Sequence, residues 1–383
     1  MRFLHTADWH LGRIFHNTHL TEDQAYVLEQ FVDLVRDVKP DAVVLAGDVY
    51  DRAVPPPEAV SLLDDVLSRI LLDCRVPVIV TAGNHDSPER LGFGEKVLAR
   101  QNLYVFGQVS PATQPVVLSD AHGPVYFCPI PYAEPAVVRE RLADGEVHSH
   151  EQALALLAQR IQDSVPSGAR RVGIAHAFVA GGTGSESERP LSIGSLATVS
   201  AGVFDSFHYV ALGHLHQGQQ VGRSEIRYAG SPLKYSFSEA RHKKSVALVE
   251  LDATGNAQVE LVALRPRRDV RCLEGFLEEI LTAGGRDDNN EDYVMVTLRD
   301  RGAILDAMGK LRQAYPNVLH LERLQAAAAG TEAHRGDHRR QSEADLFTSF
   351  FAQVTGQPPD EAETATMTRL LDGFGRRERE VGA

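Results

Sequence analysis

A chain of 383 residues that is 43% hydrophobic can bury one large core and still has length for one or two small modules. Its formal net charge of −13 argues against a protein that grips a polyanion by overall basicity. Cys74, Cys128 and Cys272 are odd in number and far apart, which argues against a disulfide framework and for a reducing compartment.

The first elements alternate. A strand is expected over Arg2 to Thr6, an amphipathic helix from about Thr21 to Val38, a strand over Ala42 to Ala46, a helix from about Pro57 to Leu72 and a strand over Val76 to Ala82. Thr21 and Gln24 have the spacing of a capping box, and Asp23, Asp37 and Glu58 are placed on polar faces or near helix ends. Further strands are expected at Tyr104 to Phe106, Val116 to Leu118, Val125 to Cys128, Arg171 to Ala175, Tyr209 to Leu212, Glu225 to Ala229, Ala247 to Leu251 and Gln258 to Ala263. This succession gives an α/β fold, a two-sheet sandwich flanked by helices.

After Leu264 the run Arg265-Pro266-Arg267-Arg268 reads as a boundary. A β-α-β-α-β pattern follows: Val270 to Cys272, Leu273 to Leu281, Tyr293 to Leu298, Ala303 to Tyr315 and Val318 to Leu321. A small α+β unit of about 60 residues is near the lower limit of independent stability and is expected to lean on the first domain. The domains expected are therefore 1–265, 266–324, a flexible linker at 325–341, and a helix-loop-helix over 342–375 whose apolar face (Leu346, Phe347, Phe350, Phe351, Val354) suits a protein partner. With a candidate metal ligand already at Asp8 there is no room for a signal peptide, and no apolar stretch nears the roughly 20 residues of a bilayer span, so a soluble cytoplasmic protein without membrane contact is expected.

Five short clusters each close a strand-like run: Asp8-Trp9-His10, Gly47-Asp48-Val49-Tyr50-Asp51-Arg52, Gly83-Asn84-His85-Asp86, His176, and Gly213-His214-Leu215-His216. Ligands at the carboxyl ends of strands occupy the usual active-site position of open α/β sheets. The donors are oxygen and imidazole without thiolate, a set that suits divalent Mn or Fe and, less well, Zn. Paired cations about 3.5 to 4 Å apart need one carboxylate that reaches both, and Asp48, directly after Gly47 and the apolar run Ala42 to Ala46, is the candidate bridge. Each cluster alone is weak, but their order together points to a paired-metal hydrolase.

These residues resemble the calcineurin-like metallophosphoesterase superfamily and, within it, the SbcD family of bacterial nuclease subunits. Asp8-Trp9-His10-Leu11-Gly12 and Tyr228-Ala229-Gly230-Ser231-Pro232-Leu233-Lys234-Tyr235-Ser236-Phe237-Ser238-Glu239, followed by Lys244-Ser245-Val246, look like signatures of that family. The resemblance implies one metal held by Asp8, His10 and His216, a second by Asn84, His176 and His214, and Asp48 bridging, with Mn2+ as the expected ion. It implies that His85 contacts the scissile phosphate and stabilises or protonates the leaving oxygen, while Asp51 hydrogen-bonds and orients its ring, as hydroxide activated by two metals attacks the phosphodiester.

The same resemblance implies a DNA exonuclease and endonuclease acting on ends, hairpins and branched structures in repair and recombination, associated with the nucleoid. It implies a homodimer within a heterotetramer whose other component is an SbcC-type SMC-like ATPase. The unit at 266–324 would cap DNA and the helix pair at 342–375 would dock the ATPase. Local positive charge for DNA exists in Arg241-His242-Lys243-Lys244 and Arg265-Pro266-Arg267-Arg268. The alternative is a metallophosphatase or small-molecule phosphodiesterase of the same superfamily. Protein phosphatases of that kind carry Gly-Asp-x-Val-Asp-Arg-Gly and Gly-Asn-His-Glu, where this chain has Ala53 and Asp86.

Overall fold

The computed structural model describes residues 1–188, 198–301 and 304–324, with isolated positions at 348, 351, 357–360, 363, 364 and 366. The chain divides into two compact units, Met1–Leu324 and Gln325–Ala383. Apart from the isolated positions, the expected linker at 325–341 and both expected helices of 342–375 lie outside the described residues.

Two six-stranded sheets form the body of the first unit. One runs in the order Ala257–Ala263, Ser245–Leu251, Arg2–Thr6, Ala42–Ala46, Val78–Thr81, Leu103–Phe106. The other runs Gln219–Val221, Arg223–Tyr228, Tyr209–Gly213, Arg170–His176, Gly123–Ile130, Val116–Asp120. Ala42–Ala46 is buried along its whole length, as expected of a strand covered on both faces. Between the sheets lies one apolar cluster, with Phe3, Val44, Ile79, Phe127, Ile174, Tyr209 and Val249 at its centre. Phe3 meets Phe127 and Tyr209 edge-on at 5.4 and 5.5 Å, a geometry aromatic pairs favour.

The helix Thr21–Val38 covers the outer face of the first sheet through Val27, Leu28, Phe31, Val32 and Val35, which recur at helical spacing. It ends at Lys39, whose left-handed backbone lets its N–H close on the Val35 carbonyl at 2.9 Å. Its start differs from expectation. No side chain caps it, and Gln24 is buried, accepting from Gly12 N–H and donating to the carbonyls of Trp9 and His10 at 3.1 and 2.8 Å. An amide with two donors and an acceptor satisfies a buried loop better than a solvated helix end. Asp23 is likewise buried, not on a polar face, and accepts from the Tyr293 hydroxyl at 2.8 Å.

Several elements lie outside the expected set: the hairpin Ile14–Phe15 with Thr18–His19, the short helices Pro88–Leu91 and Glu95–Leu98, and the helices Pro135–Leu142 and His150–Asp163. The last begins at a capping box in which Ser149 and Gln152 bond reciprocally. The expected helix to Leu72 ends as an α-helix at Ser68 and continues as a π-turn over Arg69–Asp73.

The stretch from 266 to 324 is a three-stranded parallel sheet of Val270–Gly275, Tyr293–Leu298 and Val318–Arg323, with helices Leu277–Gly284 and Ala307–Ala314. The first strand runs to Gly275, so Leu273 and Glu274, expected in a helix, are strand residues paired with Val296 and Thr297. The second helix starts at Ala307, later than the expected Ala303. Val270 and Tyr293 join the same buried cluster as Phe15, Leu20, Phe237 and Leu264, so this sheet packs directly on the two-sheet body. Among the described residues no helix is long and apolar enough to cross a membrane.

Candidate metal centre

The site is built where strands of both sheets end. Parallel strands Arg2–Thr6, Ala42–Ala46 and Val78–Thr81 release the loops carrying Asp8 and His10, Asp48 and Asp51, and Asn84 and His85. From the facing sheet, Arg170–His176 ends on His176, and its parallel neighbour Tyr209–Gly213 leads into His214 and His216. Asp8, His10, Asp48 and His214 all have positive φ, an unusual backbone for such residues and one concentrated on ligand candidates. Gly213 allows the sheets to meet: a Cβ there would lie 1.8 Å from the Ala46 carbonyl oxygen. His176 Nδ1 donates to that same oxygen at 3.1 Å, which turns Nε2 toward the site.

The structure brings Asp8, His10, Asp48, Asn84, His176, His214 and His216 into one cluster, all buried except the partly exposed Asn84. Asp48 Oδ2 lies 3.6 Å from His10 Nε2 and 3.4 Å from His176 Nε2, while its Oδ1 accepts from the backbone N–H of His85 at 2.8 Å. His10 and His216 set their Nε2 atoms 3.0 Å apart. Asn84 Oδ1 is 2.9 Å from His176 Nε2 and 3.2 Å from His214 Nδ1. Asp8 Oδ1 accepts from His214 N–H at 2.9 Å, and Asp8 Oδ2 is buried without a hydrogen-bond partner among the described residues. An orphaned carboxylate oxygen and imidazole nitrogens facing one another are costly unless a cation takes the lone pairs. Asp8, His10 and His216 form one group able to hold an ion, and Asp8, Asp48 and His176 form another. The donor set therefore fits divalent metal.

Electrostatics follow from this crowding. Burial raises the Asp8 carboxyl well above the usual carboxylate range, helped by the Asp48 charge and opposed by His176. Burial pushes Asp48 the same way, but the charge and hydrogen bond of His176 win and hold it well below that range. Burial would lower His176, yet the Asp48 and Asp8 carboxylates lift it to about 9. Burial keeps His10 down at about 4 and His214 well below its ordinary value, so both are neutral and have lone pairs to offer.

His85 and Asp51 are neighbours, but not as expected. His85 Nδ1 donates to the backbone carbonyl of Asp51 at 2.8 Å; the Asp51 carboxylate accepts from Arg13 at 2.8 Å and sits 3.6 Å from His10 Nδ1. Burial opposes ionisation of Asp51, but His10 and Arg13 hold its carboxyl at about 2. The Asp51 backbone thus holds the His85 ring, while its side chain lies beside His10. Asp86 accepts from the N–H groups of Val49, Tyr50 and Gly83 and staples the Asp48 loop to the Asn84 loop. Lys244, expected in a basic surface run, is buried and points inward.

The family described as calcineurin-like phosphoesterase matches residues 1–218, and one described as type 5 capsule protein repressor C-terminal domain matches residues 266–355. The D subunit of nuclease SbcCD from Staphylococcus epidermidis is 32% identical over 378 residues, covering 99% of this chain and all of that protein. Among solved structures, TT1561 of Thermus thermophilus is 17% identical over 69% of this chain and 99% of its own, with a TM-score of 0.38. A dimetal phosphatase from Danio rerio is 16% identical over 69% of this chain and 98% of its own, with a TM-score of 0.40. Matched over more than half its length, the chain carries a metallophosphoesterase domain. It belongs to the SbcD family, the metal-dependent nuclease subunits among the calcineurin-like phosphoesterases.

Proposed function

We propose that this chain is a Mn2+-dependent DNA phosphodiesterase in which Asp8, His10 and His216 hold one metal, Asn84, His176 and His214 the other, and Asp48 bridges them. The observation that carries the reading is the position of Asp48 Oδ2, within 3.6 Å of His10 Nε2 and 3.4 Å of His176 Nε2, between the two halves of the donor set. When bound, a pair of divalent cations supplies a strong nucleophile from water at neutral pH and neutralises the phosphate oxygens. The chain's own contribution is to gather these imidazoles and carboxylates at that point and to hold His85 beside it. With Nδ1–H fixed on the Asp51 carbonyl, His85 keeps Nε2 for the leaving oxygen, to which the doubly protonated ring would donate.

The name of the Staphylococcus epidermidis relative places that protein in a complex called SbcCD. For this chain we read an SbcC-type SMC-like ATPase as partner, docked by the helix pair at 342–375, and the sheet unit at 266–324 as a cap over DNA. A homodimer of this chain would form the nuclease core of that assembly. The net charge of −13 favours this division of labour, because the partner would supply positive surface that this chain lacks.

The test is a cleavage assay on end-labelled double-stranded, hairpin and single-stranded DNA with Mn2+, Mg2+ or chelator, beside a phosphopeptide. Hydrolysis of DNA with Mn2+, abolished by chelator and absent on the phosphopeptide, is expected. Turnover of the phosphopeptide with intact DNA would instead establish the phosphatase alternative.

A further inference from the structure

Behind the candidate metal ligand His216 lies a buried polar cluster that neither the donor set nor His85 uses. Glu239 is 0% exposed and Lys244 7%. Their side chains pair at 2.5 Å, and Lys244 Nζ spends its other donors on the His216 carbonyl and the Ser231 hydroxyl, both at 2.8 Å. Glu239 Oε1 accepts from the Ser187 hydroxyl at 2.5 Å and from Tyr235 N–H at 3.2 Å. Ser187 Oγ in turn lies 2.7 Å from His216 Nδ1, and Glu239 Oε1 lies 3.3 Å from the same nitrogen. Because the Ser187 proton goes to Glu239, its oxygen accepts Nδ1–H of His216, which leaves the Nε2 lone pair facing His10. The His216 main chain is clamped too, its N–H on Glu188 Oε1 at 2.8 Å.

Burying a glutamate and a lysine is expensive, and packed apolar residues of similar size usually stabilise a fold as well or better. The pair therefore needs another reason, and its hydrogen bonds reach His216 twice, at the ring through Ser187 and at the main-chain carbonyl through Lys244. We propose that Glu239, locked by Lys244 and acting through Ser187, is a positioning residue that fixes the ring of His216 and so sets how tightly the cation on that side is held. The inference rests on the paired-metal reading above. Partners of this kind fix the tautomer and angle of a ligating histidine, and their loss typically costs about 10- to 100-fold in metal affinity.

The test uses the full-length chain stripped of metal. Mn2+ is titrated by calorimetry, and the product is read by electron paramagnetic resonance, which separates exchange-coupled Mn pairs from isolated ions. The parent is expected to take up two ions with a coupled spectrum. The double variant E239Q/K244M removes both charges together, so no lone buried charge remains. It is expected to melt like the metal-free parent, bind one ion about 10- to 100-fold more weakly and lose the coupled signal. A well-folded double variant with parental affinity and spectrum would overturn the inference alone, whereas a parent that takes up no pair would overturn the dinuclear reading and this inference with it. Should the double variant not fold, S187A decides: weakened uptake at one site supports the proposal and parental uptake refutes it.

Discussion

Replacing His85 by alanine removes a ring fixed on the Asp51 carbonyl but leaves the proposed donors and their supporting hydrogen bonds in place. We expect H85A to retain two metals per chain by elemental analysis while its cleavage rate falls by about 10²- to 10⁴-fold, the usual worth of a positioned acid. Near-parental turnover in a fully metallated variant would remove His85 from the chemistry. The donors are legible in the sequence because each closes an apolar run and is of a type rarely buried without purpose. Their supports are not. Gln24 has the spacing of a helix cap and instead ties down the Trp9–His10 loop, and Asp51 lies near His85 but aims its carboxylate at His10 and Arg13. Glu239 and Lys244 stand within a family signature, but only folding brings them behind His216. One-dimensional spacing shows which residues share a loop, not which side chain crosses to another.

At the scale of elements, the edge of the second sheet is held by charge. Arg170, at the start of its strand, holds Asp120 at the end of another with two bonds of 2.6 and 2.9 Å, and both side chains are largely buried. Arg170 keeps the Asp120 carboxyl well below the usual carboxylate range. A depressed folded-state pKa stabilises above the unfolded value of about 3.9, and that contribution is lost as pH falls below it. D120N, which strands the Arg170 charge, is therefore expected to cost about 3 kcal/mol at pH 7 in denaturant titrations. The gap between variant and parent should close as pH drops below about 3; a constant gap down to about pH 2 would contradict the electrostatic origin.

Elements with one strong period are legible: Thr21–Val38 and Ala42–Ala46 have the bounds that periodicity assigns. Pro135–Leu142 and His150–Asp163 fall outside the expected set, and the first of them buries only Val138 and Leu142. Leu273 and Glu274 suit a helix by local preference, but pairing with Tyr293–Leu298 overrides it.

For the whole molecule, the decisive event is the meeting of two sheets at their carboxyl ends, so that residues distant in sequence touch. His10 with His216 and Asp8 with His214, each pair 206 positions apart, are such contacts. The alternation of elements announces a sandwich, and ligand clusters that close strand-like runs announce a site at the carboxyl ends of strands. The small size of 266–324 predicts that it leans on the body, whereas its means, the Tyr293–Asp23 bond and the Lys234–Asp269 ion pair at 2.8 Å, is visible only in the fold. The charge balance of the surface is the least legible, since Lys244 is buried and Arg267 and Arg268 pair with Glu22 and Asp23. That leaves less free positive charge for DNA than the sequence runs suggest and strengthens the case for a partner.

The most direct measurement is anomalous scattering from crystals of the full chain soaked in Mn2+. Two peaks about 3.5 to 4 Å apart, with Asp48 between them and the Asp8, His10, His216 and Asn84, His176, His214 groups on either side, are predicted. A single peak, or peaks away from these residues, would contradict the account.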